Sequence, residues 1–110
     1  VKGIQLPIEK TSYADNIYWV YGILLKEEIK VDNRQIQKLL ASEGIGTRTF
    51  FWCMHEQPVY QNMSLDMGKK YLNAEYMARK GFYIPSGLAL TKEQMDKVVE
   101  GVTNVMKTLA

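Results

Sequence analysis

The 110-residue sequence predicts an α+β domain, a small three-stranded sheet covered by helices in the chain order β-α-β-α-β-α. Two observations carry this expectation. Runs such as Tyr18-Trp19-Val20-Tyr21-Gly22-Ile23-Leu24-Leu25 are aromatic and β-branched, the composition that suits a pleated, packed surface. Between and behind these runs, apolar residues recur at the i, i+3, i+4 spacing of a helix with one buried face. The length gives one domain, large enough to bury a core without disulfide or metal staples.

Residues 1–15 have no clear periodicity, and Pro7 with the polar run 9–12 reads as an extended lead-in. Residues 18–25 form the first strand, and their lack of polar alternation predicts burial on both faces. The charged run 26–30 ends it. Asp32 is a helix N-cap, with Gln35 three residues on as its capping-box partner. Ile36, Leu39 and Leu40 then make one apolar stripe, and Gly44 supplies a left-handed stop. Residues 47–52 have the composition of a second strand, and Pro58 ends regular structure after it. Residues 61–68 read as a loop whose methionines and leucine are available to a partner. Tyr71, Ala74, Met77 and Ala78 share one face of the next helix, which Gly81 closes. Phe82-Tyr83-Ile84 is the third strand, stopped by Pro85. Thr91 and Gln94 form another capping box, followed by an amphipathic stripe of Met95, Val98, Val99, Val102, Val105, Met106 and Leu109.

Apolar residues at 46% and charged residues at 24% are the balance of a soluble globular protein. A net charge of +2 is too small to point to nucleic acid or an acidic membrane surface. No apolar run approaches the about 18 residues of a membrane span, and no signal peptide is recognisable. Cys53 is the sole cysteine, which leaves no disulfide framework and fits a reducing cytoplasm. The chain starts at Val1 rather than Met, as expected of a fragment of a longer protein.

Candidate chemistry concentrates in residues 44–60, Gly-Ile-Gly-Thr-Arg-Thr-Phe-Phe-Trp-Cys-Met-His-Glu-Gln-Pro-Val-Tyr. Arg48 and His55 can meet an anionic ligand, and the aromatics between them can form a wall. Each has a plainer reading. Arg48 can pair with a surface carboxylate, a contact worth little, and His55, the one histidine, can be a satisfied structural imidazole. What favours function for His55 is its place beside Glu56-Gln57-Pro58, in a turn expected at a sheet edge. One His and one Cys do not make a tetrahedral metal set, and Cys53 reads as a small buried hydrophobe. Gly44 and Gly46 lack the spacing of a phosphate loop. Lys80-Gly81-Phe82-Tyr83-Ile84 partly matches the strand that stacks bases in RNA-recognition domains, but the helix expected before it and Pro85 after it argue against that fold.

Four stretches, in this order, carry a family resemblance. They are Tyr18-Trp19-Val20-Tyr21-Gly22-Ile23, then Gly44-Ile45-Gly46-Thr47-Arg48 with Phe50-Phe51-Trp52, then Met54-His55-Glu56-Gln57-Pro58-Val59, and finally Gly81-Phe82-Tyr83-Ile84-Pro85-Ser86-Gly87-Leu88 with Leu90-Thr91. Together they resemble the C-terminal small domain of the DegT-class nucleotide-sugar aminotransferases, pyridoxal-phosphate enzymes of aspartate-aminotransferase fold (fold type I). The resemblance is nearest to the branch that aminates the 4-keto group of a GDP-linked 6-deoxy sugar, although Thr49 and Cys53 stand where many sequences of that branch have Pro. It implies that residues 1–110 are a single small domain, without the large domain that carries the Schiff-base lysine and most cofactor contacts. It further implies that the fragment is inactive alone, and that the whole enzyme is a homodimer moving an amino group from glutamate to the keto sugar. His55, Arg48, Trp52 and Gln57 are then the expected substrate contacts, with no catalytic, cofactor or metal residue in this chain. The alternative is a stand-alone, RNA-recognition-like binding module. A parent gene with an upstream domain bearing a strand-loop lysine separates the two.

Overall fold

The computed structural model describes residues 1–63 and 68–109. Strand β2 (Tyr21–Leu25) and strand β4 (Gly81–Ile84) lie antiparallel at the centre of the sheet, with Ile23 opposite Phe82 and Tyr21 opposite Ile84. The pleat sends alternate residues to opposite faces. On one face Ile23, Leu25 and Phe82 are at most 2% exposed, packed with Ile36, Leu40, Val102 and Met106. Burying side chains of this size stabilises by about 1.5–3 kcal/mol each, so this face dominates the fold's energetics. On the other face the Phe50 ring covers two glycines. A Cβ at Gly22 would stand 2.9 Å from that ring, and one at Gly81 would run into the ring and the Met77 carbonyl.

The helices that cover the core face begin as their capping residues dictate. In α1 (Asn33–Ser42), the Asp32 carboxylate accepts from Gln35 N at 2.8 Å, while the Gln35 side chain accepts from Asp32 N at 2.8 Å. Gly44, at φ 74°, turns the chain out of α1. In α4 (Lys92–Leu109), Thr91 and Gln94 make the same reciprocal pair. Asn33, the one buried polar residue among those described, donates to Ala78 O at 2.7 Å and Gly81 O at 2.8 Å. It thereby satisfies carbonyls at the end of α3 (Leu72–Lys80), which the helix itself leaves open. Two further contacts pin α3. Lys80 Nζ donates to Ile29 O and Val31 O at 2.6 and 2.8 Å, and Tyr76 OH donates to Leu25 O at 2.6 Å. The α3 side chains are thus held in fixed relation to the sheet.

Several expectations need correction. The sheet has four strands, not three, in the spatial order β1-β2-β4-β3, all antiparallel. The extra strand, β1 (Ile4–Gln5), lies inside the presumed lead-in and pairs Ile4 with Leu25. Two residues are too few to show a period, yet Ile4 is 8% exposed and joins the core. The chain order is therefore β-β-α-β-α-α-β-α, with a single 3₁₀ turn before α2. Residues 18–25 are not buried on both faces; only Ile23 and Leu25 are buried, and Trp19 is 76% exposed. The second strand expected over 47–52 contracts to β3 (Arg48–Thr49).

Pro58 does not end regular structure. It opens the short helix α2 (Pro58–Asn62) at a first-turn position, where its missing N–H costs nothing. Residues 61–62 belong to α2 rather than to a loop, and 64–67 lie outside the described residues. The stripe assigned to α3 is rotated, since Tyr71, Ala74 and Met77 are exposed and only Ala78 is buried. Leu39 in α1, and Met95 and Val99 in α4, are likewise exposed rather than core.

Candidate functional site

Strands β3 and β4 run antiparallel, so the stretch that begins at Gly44 passes along β4 from its end to its start. Arg48 pairs with Tyr83 near the C-terminal end of β4, Thr49 with Phe82, and Phe50 N donates to Gly81 O at the N-terminal end. Residues 52–57 continue past that end. The four expected substrate contacts are therefore divided: Trp52, His55 and Gln57 lie beyond one end of β4, and Arg48 lies by the other.

Beyond the N-terminal end the chain makes a 3₁₀ turn (Met54–Glu56), and Gln57 links it to α2: its N donates to Met54 O, and its O accepts from Gln61 N. This turn meets α3. His55 Nε2 lies 3.1 Å from Glu75 Oε1, and the same carboxylate oxygen accepts from Tyr71 N at 2.9 Å. The Tyr71 ring lies 4.8 Å from the imidazole, tilted by 53°. One turn on, Arg79 Nη2 donates to Glu56 Oε1 at 2.7 Å and Nη1 donates to Glu75 O at 3.2 Å. The guanidinium also lies 4.8 Å from the Trp52 ring centre, and Arg34 approaches that ring at 5.9 Å. Each such cation–π contact is worth about 0.5–1 kcal/mol at an exposed site. Trp52 and His55 thus belong to one network closed by Glu75 and Arg79. Sequence reasoning missed Glu75, Arg79 and Tyr71; the i, i+4 spacing of Glu75 and Arg79 was the available sign, since it stacks two charged heads on one helix face.

The electrostatics follow from these contacts. The Tyr71 backbone N–H holds the Glu75 carboxyl below the ordinary glutamate range, helped by His55 and Arg79 against partial burial. Burial pushes the Cys53 thiol up, Glu56 adds to this, and Arg79 opposes it. Cys53 is 7% exposed and behaves as the buried hydrophobe its surroundings suggest. The Glu56 hydrogen bond raises Arg79 further above its already high value. One atom is left over: Glu56 Oε2 is buried with no partner among the described residues. His55, Glu56 and Glu75 bring possible ligand atoms within 4.8 Å of one another. Arg79 and His55 already take up these carboxylates, so the group reads as an ion-pair network rather than a metal cage.

At the C-terminal end of β4, where β2 and β3 both begin, lies an open cleft of about 790 Å³. Trp19, Gln37, Thr47, Arg48, Tyr83 and Ser86 line it. Arg48 is exposed and has no ion-pair or hydrogen-bond partner among the described residues, so the surface-pair reading finds no carboxylate. Thr47 Oγ1 is buried without a partner among the described residues, while Gln37 Nε2 donates to the Thr47 carbonyl at 2.8 Å. A second, apolar cleft of about 800 Å³ runs between the start of the chain and α4, with Leu6, Ile17, Trp19, Met95 and Val99 on its walls. Neither cleft is lined by a lysine, and the Lys80 ammonium is committed to two carbonyls. These residues do not fit the Schiff-base role that pyridoxal phosphate requires. Nor is there a base-stacking platform at 80–84, because Phe82 is sealed in the core.

Comparison with known proteins gives a consistent outcome. The profile of the DegT/DnrJ/EryC1/StrS aminotransferase family matches residues 1–103. The GDP-perosamine synthase of Vibrio cholerae is 23% identical over 103 residues, which cover 93% of this chain and 28% of that protein. Among solved structures, the aminotransferase TlmJ from Streptoalloteichus hindustanus superposes with a TM-score of 0.82 at 17% identity, over 99% of this chain and 28% of its own. The putative sugar aminotransferase Spr1654 from Streptococcus pneumoniae, in its apo-form, gives 0.81 at 21% identity, over 97% and 27%. It is also known in a PMP-form. The chain thus spans little more than a quarter of the length of these relatives.

Proposed function

Because the chain belongs to the DegT/DnrJ/EryC1/StrS aminotransferase family, we propose that its 110 residues form the C-terminal small domain of a pyridoxal-phosphate-dependent sugar aminotransferase. The whole enzyme, in this reading, is a cytoplasmic homodimer. It transfers an amino group from glutamate to a nucleotide-linked 4-keto-6-deoxy sugar, as a GDP-perosamine synthase would, for cell-surface polysaccharide. The observation that carries the proposal is the family match along residues 1–103, which leaves almost no part of this chain unaccounted for.

Pyridoxal phosphate supplies the electron sink for amino transfer, and its lysine belongs to the part of the enzyme outside this chain. The 110 residues alone are then inactive. Their task is to form one wall of the substrate cleft. Arg48, exposed and unpaired among the described residues, offers a fork of donors to the phosphates of the nucleotide. His55, Trp52 and Gln57 meet the sugar side from the opposite end of β4. In the complete enzyme, His55→Phe keeps the ring that packs on Tyr71 and removes both nitrogens. The loss of one ligand hydrogen bond should slow the keto-sugar half-reaction about tenfold and leave the glutamate half-reaction within about twofold. Equal slowing of both half-reactions would remove His55 from the substrate site.

A further inference from the structure

Glu75 is not among the residues assigned to substrate, yet its geometry dictates which atom of His55 a substrate can meet. Its Oε1 faces two groups at once, His55 Nε2 at 3.1 Å and the Tyr71 N–H at 2.9 Å. A carboxylate can only accept hydrogen bonds, so a contact with Nε2 requires the proton to be on that nitrogen. The charged groups around the pair keep Glu75 in this state. The Tyr71 backbone and Arg79 favour its ionised form, Arg79 also neutralises Glu56, and the Cys53 thiol stays protonated. The helix that carries Glu75 is itself fixed by Asn33, Tyr76 and Lys80, so the carboxylate is placed by the fold rather than by a flexible loop. With Nε2–H turned inward, Nδ1 of a neutral imidazole keeps its lone pair. No described residue hydrogen-bonds that atom, and the His55 side chain keeps 14% of its surface exposed.

We propose that Glu75 is the positioning residue of His55, holding Nε2–H inward so that Nδ1 accepts a hydrogen bond from a donor on the substrate, a sugar hydroxyl. The inference rests on the sugar-aminotransferase reading above and sharpens it. An outward lone pair repels a phosphate oxygen, itself an acceptor, so the phosphates fall to Arg48 at the other end of β4. The two ends of the strand then read different chemical groups of one ligand.

His55 is the only histidine of the chain, so imidazole nitrogen NMR of the ¹⁵N-labelled 110-residue protein needs no assignment. In mildly alkaline buffer the proton should reside on Nε2, and its exchange with water should be slow enough for the N–H signal to be seen. Glu75→Ala should abolish that signal. Glu75→Gln should keep it, because the amide oxygen can accept from the same two donors. A proton on Nδ1 in the unaltered chain, or an N–H signal that survives Glu75→Ala, would overturn the positioning role. Should Glu75→Ala fail to fold, the nitrogen assignment in the unaltered chain and in Glu75→Gln still decides. In the complete enzyme, Glu75→Ala should slow the keto-sugar half-reaction as His55→Phe does, with no further loss in the double variant. An intact Nε2–H signal combined with unchanged sugar kinetics in both variants would instead overturn the substrate role of His55.

Discussion

At the N-terminal end of β4 the polar groups are answered within the fold: Arg79 pairs with Glu56, and Glu75 meets both the His55 imidazole and the Tyr71 N–H. At the C-terminal end Arg48 and Thr47 Oγ1 have no partner among the described residues, and an open cleft lies between them and Trp19. The same four-residue strand joins the two. The difference separates two ways of building a binding wall. Groups that satisfy one another during folding are rigid, and they present whatever atoms remain in a fixed direction. Groups left unsatisfied are free to form strong, charge-assisted bonds when a ligand arrives.

Removing what the two ends share should have the largest effect. Phe82→Ala would empty a fully buried position in β4, at a cost of about 3–5 kcal/mol, and both ends should fail together. Urea unfolding followed by Trp fluorescence and by Cys53 alkylation should show coincident midpoints far below those of the unaltered chain. Separated midpoints would mean that the two ends are independently folded.

A smaller loss is expected from Arg79→Ala, which takes the donor from Glu56 Oε1 when Oε2 already lacks a partner among the described residues. Because Arg79 is partly exposed, solvent replaces some of the contact, and a loss of about 1–2 kcal/mol should follow in the same measurement. Smaller again is the acid response of the satisfied end. The folded pKa of Glu75 is depressed, so its contribution is fully present above the ordinary glutamate value and is lost as pH falls through the lowered one. The unfolding midpoint should drop in that acid range, and Glu75→Gln should flatten the drop.

The skeleton was legible in the sequence wherever local chemistry decides it. Asp32 with Gln35, Thr91 with Gln94, and Gly44 at φ 74° all act as their residue types require. What escaped was decided by tertiary contact. Ile4–Gln5 is a strand only because β2 offers an edge beside it. Tyr71 and Met77 left the core because α3 is oriented by Asn33, Tyr76 and Lys80, polar residues that a search for apolar stripes ignores. The site was half legible for the same reason. Arg48, Trp52, His55 and Gln57 stand close together in the chain, whereas Glu75 lies 20 positions from His55 and Arg79 lies 23 positions from Glu56. A linear reading also grouped Arg48 with His55, and only the antiparallel register of β3 on β4 sets them at opposite ends.

The central claim is that the unsatisfied end binds the nucleotide phosphates, and nucleotide-sugar affinity in the complete enzyme carrying Arg48→Ala tests it most directly. Arg48 is exposed and unpaired among the described residues, so its loss should change stability by no more than about 0.5 kcal/mol. A charge-assisted hydrogen bond to phosphate is worth about 1.5–3 kcal/mol, so affinity should weaken about 10- to 100-fold, and the deficit should shrink as salt is raised. Unchanged affinity in a normally folded Arg48→Ala enzyme would contradict the account.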